Sequence, residues 1–233
     1  MIPKVSLARF RHALFATAMM MLFVKASTAQ EYRFGGYIVP AISWFSTDIT
    51  EVVNQGSRAG MIIVVSAERY FTNKISATAG LGIINSGGRL VSSDPTLFKF
   101  ANYTSVVASG DPIVYRIQYL AIPAGLKFYT NEIGYNNLIA FGEIGIDPKI
   151  VVRGRVDIPS LDIKGEGAMA EIKRFNFGWH LHAGIEYPLG GSTAAVLGLG
   201  FENNFPDITK DVGTQANDRV AHKFLKFIFG VKF

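Results

Sequence analysis

The last eleven residues of the chain constrain its fold more than any other segment. Every second residue back from the C-terminus is apolar: Phe233, Val231, Phe229, Phe227 and Leu225. The positions between them include Lys226 and Lys232, so the two faces of the segment differ in polarity. Strict alternation of this kind predicts a β-strand with one apolar face and one mixed face.

The N-terminus has the three-part pattern of a secretory signal peptide. Lys4, Arg9, Arg11 and His12 precede the apolar run Ala13–Val24, and the small residues of Ser27-Thr28-Ala29 follow it. We expect a signal peptide at residues 1–29 and one domain at residues 30–233. The run is shorter than the ~20 residues that a transmembrane helix needs, and a short membrane anchor is the alternative. This segment holds four of the 23 Lys and Arg residues and none of the 18 acids, so the basic pI does not indicate nucleic-acid binding.

Composition favours a membrane-embedded sheet. The chain has no cysteine, so an exported domain must gain its stability elsewhere, and a closed hydrogen-bond ladder supplies it. Aromatic residues make up 12% of the chain and glycines number 24. Both suit a transmembrane barrel, in which aromatic rings form girdles at the two interfaces and glycines allow the strands to coil.

Eight segments have strand character, and the connections between them alternate between long and short. This asymmetry is typical of outer-membrane barrels, which have short periplasmic turns and long extracellular loops. The sequence therefore predicts an all-β fold, an eight-stranded antiparallel up-and-down transmembrane β-barrel. The alternative is a soluble barrel of lipocalin type, which would place the apolar faces inside. The predicted strands are Arg33–Phe45, Arg58–Phe71, Lys74–Ile84, Ile113–Tyr129, Leu138–Val152, Ile172–Tyr187, Thr193–Asn203 and Val220–Phe233.

Alternation within the strands predicts a polar, side-chain-filled lumen. In residues 174–187 the apolar positions alternate with Asn176, His180, His182 and Glu186. Charged groups inside a barrel must compensate one another, so we expect a network of hydrogen bonds and ion pairs. Arg116 is out of phase with Lys127, and either a β-bulge between them or a position of Arg116 above the membrane explains this. The expected network comprises Glu68, Lys127, Glu143, His180, His182, Glu186 and Lys226.

Two resemblances add to this interpretation. The C-terminal strand resembles the closing strand of bacterial outer-membrane barrels, which implies that Phe229, Val231 and Phe233 belong to the signal for barrel assembly. The segment Tyr119–Phe128 resembles a strand of PorT-like outer-membrane barrels of the Bacteroidetes group, although that family often has an acid where Ala121 stands. The resemblance implies location in the outer membrane and an association with type IX protein secretion. Pro123 cannot donate to a ladder, so we expect an irregularity there.

The functional interpretation is a non-enzymatic structural or binding barrel. The long loop 85–112 carries the candidate contact residues Phe98, Phe100 and Tyr103, which either bind a partner or pack across the barrel mouth. The alternatives are an accessory component of secretion, a small lipid-modifying enzyme that uses His180, His182 and Glu143, and a conducting pore. We expect no catalytic site, metal or cofactor. The expected partners are outer-membrane lipid and lipopolysaccharide, the barrel assembly machinery, and envelope or secretion proteins, but no nucleic acid.

Overall fold

The computed structural model describes residues 32–100, 102–135, 137–210 and 219–233. The predicted signal peptide lies outside these residues. No helix in the described part of the chain is long and apolar enough to cross a membrane. The described strands are β1 (Tyr32–Ser46), β2 (Val52–Gly56), β3 (Arg58–Thr72), β4 (Ile75–Ser92), β5 (Thr96–Lys99), β6 (Thr104–Val107), β7 (Pro112–Ala121), β8 (Ala124–Tyr129), β9 (Ile139–Ile158), β10 (Ile163–Gly167), β11 (Phe175–Gly190), β12 (Thr193–Asn204) and β13 (Ala221–Lys232).

The sheet closes on itself as a barrel. Its wall follows the order β1, β3, β4, β7 with β8, β9, β11, β12 and β13, and β13 pairs back to β1. All of these pairs are antiparallel. Because β7 and β8 occupy one position in the wall, the barrel has eight strands, and the predicted fold class is confirmed.

Pro123 interrupts the fourth wall strand between β7 and β8, where the sequence predicts an irregularity. Its carbonyl still accepts a hydrogen bond from the Gly80 N–H at 2.9 Å, so the wall stays closed. Side-chain alternation continues through the break, because Ala121 and Lys127 are both buried inside. A bulge does lie between Arg116 and Lys127, at Gln118–Tyr119, but its extra residue is Val152 on β9. The bulge therefore leaves the phase of β7 unchanged, and Arg116 lies on the outer face.

Two wall strands run further than their sequence patterns predict. β4 continues past Ile84 to Ser92, and β9 continues past Val152 to Ile158. The extensions keep hydrogen-bond partners because β2 pairs with the end of β4 and β10 with the end of β9. Parts of the predicted long loops are therefore strands that lengthen the barrel at one end.

The outer face is apolar, whereas the inner face is mixed and carries buried charged and polar side chains together with buried apolar ones. In β11, Leu181 is 53% exposed, whereas its neighbour His180 is buried. The start of β1 and the C-terminal residue meet at one end of the barrel, where the N–H of Phe34 donates to the Phe233 carbonyl at 2.8 Å. The short turns 73–74 and 191–192 lie at that same end, which makes it the periplasmic end by the rule for outer-membrane barrels.

An apolar cluster closes the opposite, extracellular mouth. Phe98 and Phe100 from the β5–β6 hairpin are each 1% exposed and pack with Phe45, Tyr115 and Phe224 of the wall. The ring centroids of Phe98 and Tyr115 lie 6.3 Å apart, and those of Phe45 and Tyr115 lie 5.6 Å apart. The hairpin thus covers the mouth, and its two phenylalanine rings join an apolar cluster that continues into the lumen.

Candidate functional site

A layer of charged side chains crosses the lumen near its periplasmic end. Glu186 accepts hydrogen bonds from Lys127 at 2.7 Å and from Lys232 at 2.5 Å. The Lys232 ammonium also lies 3.4 Å from Glu68, whose carboxylate accepts hydrogen bonds from the hydroxyls of Ser76 and Tyr129. Two lysines face two glutamates, so this layer is electrically balanced. The strands that supply these residues are held together across the lumen.

A second charged layer lies nearer the middle of the barrel. Glu202 is completely buried, forms an ion pair with Lys226 at 2.6 Å and accepts a hydrogen bond from Lys149. The Lys149 ammonium also lies 5.1 Å from the centre of the Phe224 ring, where a cation–π contact is favourable. Two ammonium partners offset the cost of burying the Glu202 carboxylate. Two lysines against one glutamate leave one surplus positive charge, which needs a further acid nearby.

That acid belongs to a cluster of imidazoles and carboxylates from β9 and β11. Asp147 lies 2.8 Å from Nδ1 of His180, and Glu143 Oε1 lies 3.5 Å from Nε2 of the same ring. His182 stacks on His180 with ring centroids 4.2 Å apart, and its Nδ1 lies 3.7 Å from Glu143 Oε2. Together, the second layer and this cluster contain two lysines and three carboxylates, so one imidazolium makes them neutral.

Strand register and a glycine create the room for these rings. His180 is directly opposite Gly145 on β9. A Cβ at Gly145 would lie 2.6 Å from Nε2 of His180, so any other residue there would displace the ring. Glu143 is directly opposite His182 in the same pair of strands, which brings the carboxylate to both imidazoles.

The cluster borders a cavity of about 100 Å³ in the lumen. Glu143, His180 and His182 line it on the polar side. Its other side is apolar and includes Ile62 and Val64 from the segment of β3 that is hydrophobic on both faces. The inward apolar residues of β3 therefore border this unfilled space between the charged groups and the opposite wall.

The chemistry of the cluster suits either charge compensation or metal binding. Glu143, His180 and His182 each offer a ligand atom, and these atoms lie within 4.8 Å of one another. Two imidazoles and a carboxylate form a ligand set that zinc accepts, and Asp147 would orient His180 as an outer-shell partner. Lys226 lines the same cavity and its charge opposes a cation. Charge compensation within the network therefore remains our interpretation.

In the described residues, the histidine cluster has no hydroxyl placed to act as a nucleophile. The hydroxyl of Thr78, which lines the same cavity, donates to Glu143 at 2.8 Å. Among the residues that the structure describes, no serine or threonine hydroxyl is hydrogen-bonded to His180 or His182. The His180–Asp147 pair thus has the base and its orienting acid but no hydroxyl in position to be activated.

All seven predicted lumen residues lie inside the barrel, but they divide into separate groups. Glu68, Lys127 and Glu186 belong to the periplasmic layer, whereas Glu143, His180, His182 and Lys226 lie deeper. Sequence reasoning omitted four further members: Asp147, Lys149, Glu202 and Lys232. Alternation places all four on inward faces, so the pattern contained the signal. The pairing depends on strand register, which the sequence does not specify.

The three aromatic loop candidates have two different environments. Phe98 and Phe100 pack across the barrel mouth, which was one of the two alternatives. Tyr103 stacks on Phe100 with ring centroids 4.6 Å apart but remains 47% exposed. The outer side of the hairpin also presents the cross-strand pair Leu97 and Val106, both exposed.

The family model for the outer membrane protein beta-barrel domain matches residues 28–210. The chain belongs to this outer-membrane barrel family. Its fold is similar to that of Neisserial surface protein A, with a TM-score of 0.51, 11% sequence identity, and coverage of 88% of this chain and 98% of that one. The attachment invasion locus protein Ail of Yersinia pestis aligns with a TM-score of 0.40, 12% identity, and coverage of 87% and 99%. No curated protein sequence matches the chain. Family membership assigns this barrel to the outer membrane.

Proposed function

We propose that this outer-membrane barrel is a non-enzymatic structural and binding protein that uses its extracellular surface. The observation that carries the proposal is the closure of the lumen at two levels. Paired lysines and glutamates cross it near the periplasmic end, and Phe98 and Phe100 seal the extracellular mouth. An eight-stranded barrel has an interior only wide enough for side chains, so a continuous water path is not expected.

The outer side of the β5–β6 hairpin is the surface best suited to a protein partner. Its inner side packs on the wall, and the Glu171 carboxylate, in the connection between β10 and β11, accepts a hydrogen bond from the Lys99 N–H at 2.7 Å. The exposed side therefore presents Tyr103 and Val106 on a rigid support. Rigid aromatic and aliphatic groups contribute much to binding energy because they lose little conformational freedom.

Two measurements test this proposal. In planar bilayers the purified barrel should give no single-channel steps, and a variant lacking residues 96–107 should also give none because the ionic layers remain. Chemical crosslinking on intact cells should capture envelope or host proteins with the parent and much less with Val106→Asp. Val53→Asp, at another exposed apolar extracellular position, is the matched control. Regular conductance steps, or equal capture by both variants, would contradict the proposal.

Secretion and lipid chemistry are the two other candidate functions. A secretion role is supported by the similarity of Tyr119–Phe128 to the PorT-like strand, and deletion of the gene should then impair cargo export. An enzymatic role is supported by the His180–Asp147 pair beside a cavity. His180→Gln should then abolish turnover of outer-membrane lipid, measured by mass spectrometry of extracted lipids. Unchanged export and unchanged lipid would remove these alternatives.

A further inference from the structure

Four arginines converge on the outer surface of the barrel, outside the lumen site. Arg58 of β3, Arg116 of β7, and Arg153 and Arg155 of β9 line one surface cavity of about 220 Å³, with Asn85 and Gln118 between them. Arg116 is directly opposite Arg155 across the β7–β9 pair, and Gln118 is opposite Arg153. The register therefore brings three guanidinium groups together on adjacent strands, and we call the set of four the arginine patch.

The position of the patch relative to the membrane follows from its neighbours. Three exposed apolar residues of the lipid face lie on the periplasmic side of the patch. They are Leu120 on β7, Val152 on β9 and Ile83 on β4. On β9 the patch begins one residue beyond Val152, and on β7 Arg116 lies four residues beyond Leu120, about 13 Å along a strand. It lies on the side of the long loops. The patch therefore begins where the apolar belt meets the outer-leaflet headgroups.

Arg58 reaches the patch because β4 has a glycine at the crossing point. A Cβ at Gly87 would lie 2.9 Å from Cδ of Arg58, so this side chain passes closely over the strand. Gly87 is directly opposite Arg116, which completes a continuous basic surface from β3 to β9. The glycine has this steric role on the outer wall, far from the lumen cluster.

The patch has more positive charge than its surroundings neutralise. Arg116 forms an ion pair with Asp157, whose carboxylate also accepts a hydrogen bond from the Gly165 N–H at 2.7 Å. Within the part of the chain that the structure describes, Arg58, Arg153 and Arg155 have no carboxylate within ion-pair distance. Like charges beside a low-dielectric layer repel strongly, so an anion from outside the chain would stabilise the patch.

The rest of the extracellular rim has a different composition. Trp44, Trp179 and Phe201, on β1, β11 and β12, form an aromatic group there, with the Trp179 and Phe201 ring centroids 5.7 Å apart. Aromatic rings are the ordinary interface anchors of a membrane barrel. The four arginines of the patch lie in the sector from β3 to β9, apart from this aromatic group.

We propose that the arginine patch binds the phosphate groups of a phosphorylated outer-leaflet lipid of the lipopolysaccharide class. Guanidinium groups bind phosphate through paired, planar hydrogen bonds, and several of them around one cavity can hold more than one phosphate. The acyl chains of such a lipid would lie against the apolar belt directly below the patch. The proposal uses the location in the outer membrane and is independent of any partner of the β5–β6 hairpin.

Lipid binding by the full-length barrel tests the proposal. The refolded protein, in detergent, is titrated with bis-phosphorylated lipid A, with the same lipid after enzymatic dephosphorylation, and with inorganic phosphate, and binding is followed by native mass spectrometry. We expect the bis-phosphorylated lipid to bind at least tenfold more tightly than the dephosphorylated lipid. We also expect inorganic phosphate to compete only at far higher concentration. Equal binding of both lipids, or competition by inorganic phosphate at equal phosphate concentration, would overturn the assignment to a lipid.

Matched variants connect the binding to these residues. Arg153→Gln with Arg155→Gln should weaken binding of the bis-phosphorylated lipid at least tenfold, whereas Arg69→Gln, at the periplasmic end of β3, should change it less than twofold. If the double variant does not fold, as judged by its heat-dependent gel migration, the single variant Arg155→Lys is used. It keeps the charge and loses the paired hydrogen bonds, so a severalfold loss is expected. Parent-like binding by the folded patch variants, or an equal loss in Arg69→Gln, would contradict the proposal.

Discussion

At the scale of single residues, Lys226 shows how the lumen balances its charges. Its ammonium lies 2.6 Å from Glu202, a fully buried carboxylate. Lys226→Ala leaves Glu202 with Lys149 alone, so we expect a loss of about 1–3 kcal/mol in the free energy of unfolding. Urea titration of the barrel in lipid vesicles measures it. Lys223→Ala, on the outer face of the same strand, is the control. Equal losses in both variants would mean that the assignment of the two faces is wrong.

The cluster around Glu143 makes a second residue-scale prediction. If charge compensation is its role, Glu143→Gln should lower the thermal midpoint by the same amount in excess zinc and in excess chelator. If the cluster is a metal centre, zinc should raise the midpoint of the parent and leave that of Glu143→Gln unchanged, because bound ligand stabilises the folded state. The difference between the two titrations is the measurement, and a zinc-dependent shift in the parent alone would contradict our interpretation.

Phe233 makes the third prediction, which concerns assembly. Its ring is 59% exposed on the outer face at the periplasmic end. Phe233→Ala should reduce the amount of folded barrel in the outer membrane and leave unfolded chain in the periplasm, as measured by fractionation and immunoblotting. Phe175→Ala removes an equally exposed ring at the other end of the barrel and should assemble normally. Normal assembly of Phe233→Ala would remove this residue from the proposed assembly signal.

At the scale of elements, the β5–β6 hairpin should unfold more easily than the wall that it covers. Phe98→Ala removes a buried ring from the extracellular cluster, and such changes cost about 3–5 kcal/mol in well-packed cores. We expect trypsin to cleave the hairpin at Lys99 in intact cells carrying this variant, while the barrel still migrates as a folded species. Tyr103→Ala, at an exposed position, should leave the hairpin resistant. Cleavage of both variants at equal rates would show that the cluster does not hold the hairpin.

The elements also differ in how far their sequences predict them. β11 and β13 follow from alternation alone because one face meets lipid and the other a polar interior. The far ends of β4 and β9 could not be predicted, because beyond the membrane their pairing depends on β2 and β10, two short strands that the sequence pattern does not reveal. The same limit applies to the site. Alternation places Asp147 and Glu202 inside, but only register brings them to His180 and Lys226.

At the scale of the whole molecule, different groups of side chains lie at different levels along the barrel axis. The periplasmic end carries the start of β1, the C-terminal residue and a balanced ionic layer. The middle carries the histidine cluster and its cavity, and the extracellular end carries the arginine patch, the aromatic group and the hairpin. Charged groups that face inward are paired, whereas the unpaired arginines face outward at the membrane boundary. This arrangement requires that every wall strand keep its lipid face and lumen face as assigned.

A scan of single cysteines along β11 tests that assignment most directly, because the chain has no cysteine of its own. A nitroxide label is attached in turn at positions 180 to 185 of the barrel in lipid bilayers, and collision with dissolved oxygen is measured by electron paramagnetic resonance. We predict high oxygen accessibility at Leu181, Ala183 and Ile185 and low accessibility at His180, His182 and Gly184. The opposite phase, or no alternation at all, would contradict the membrane barrel described by this structure.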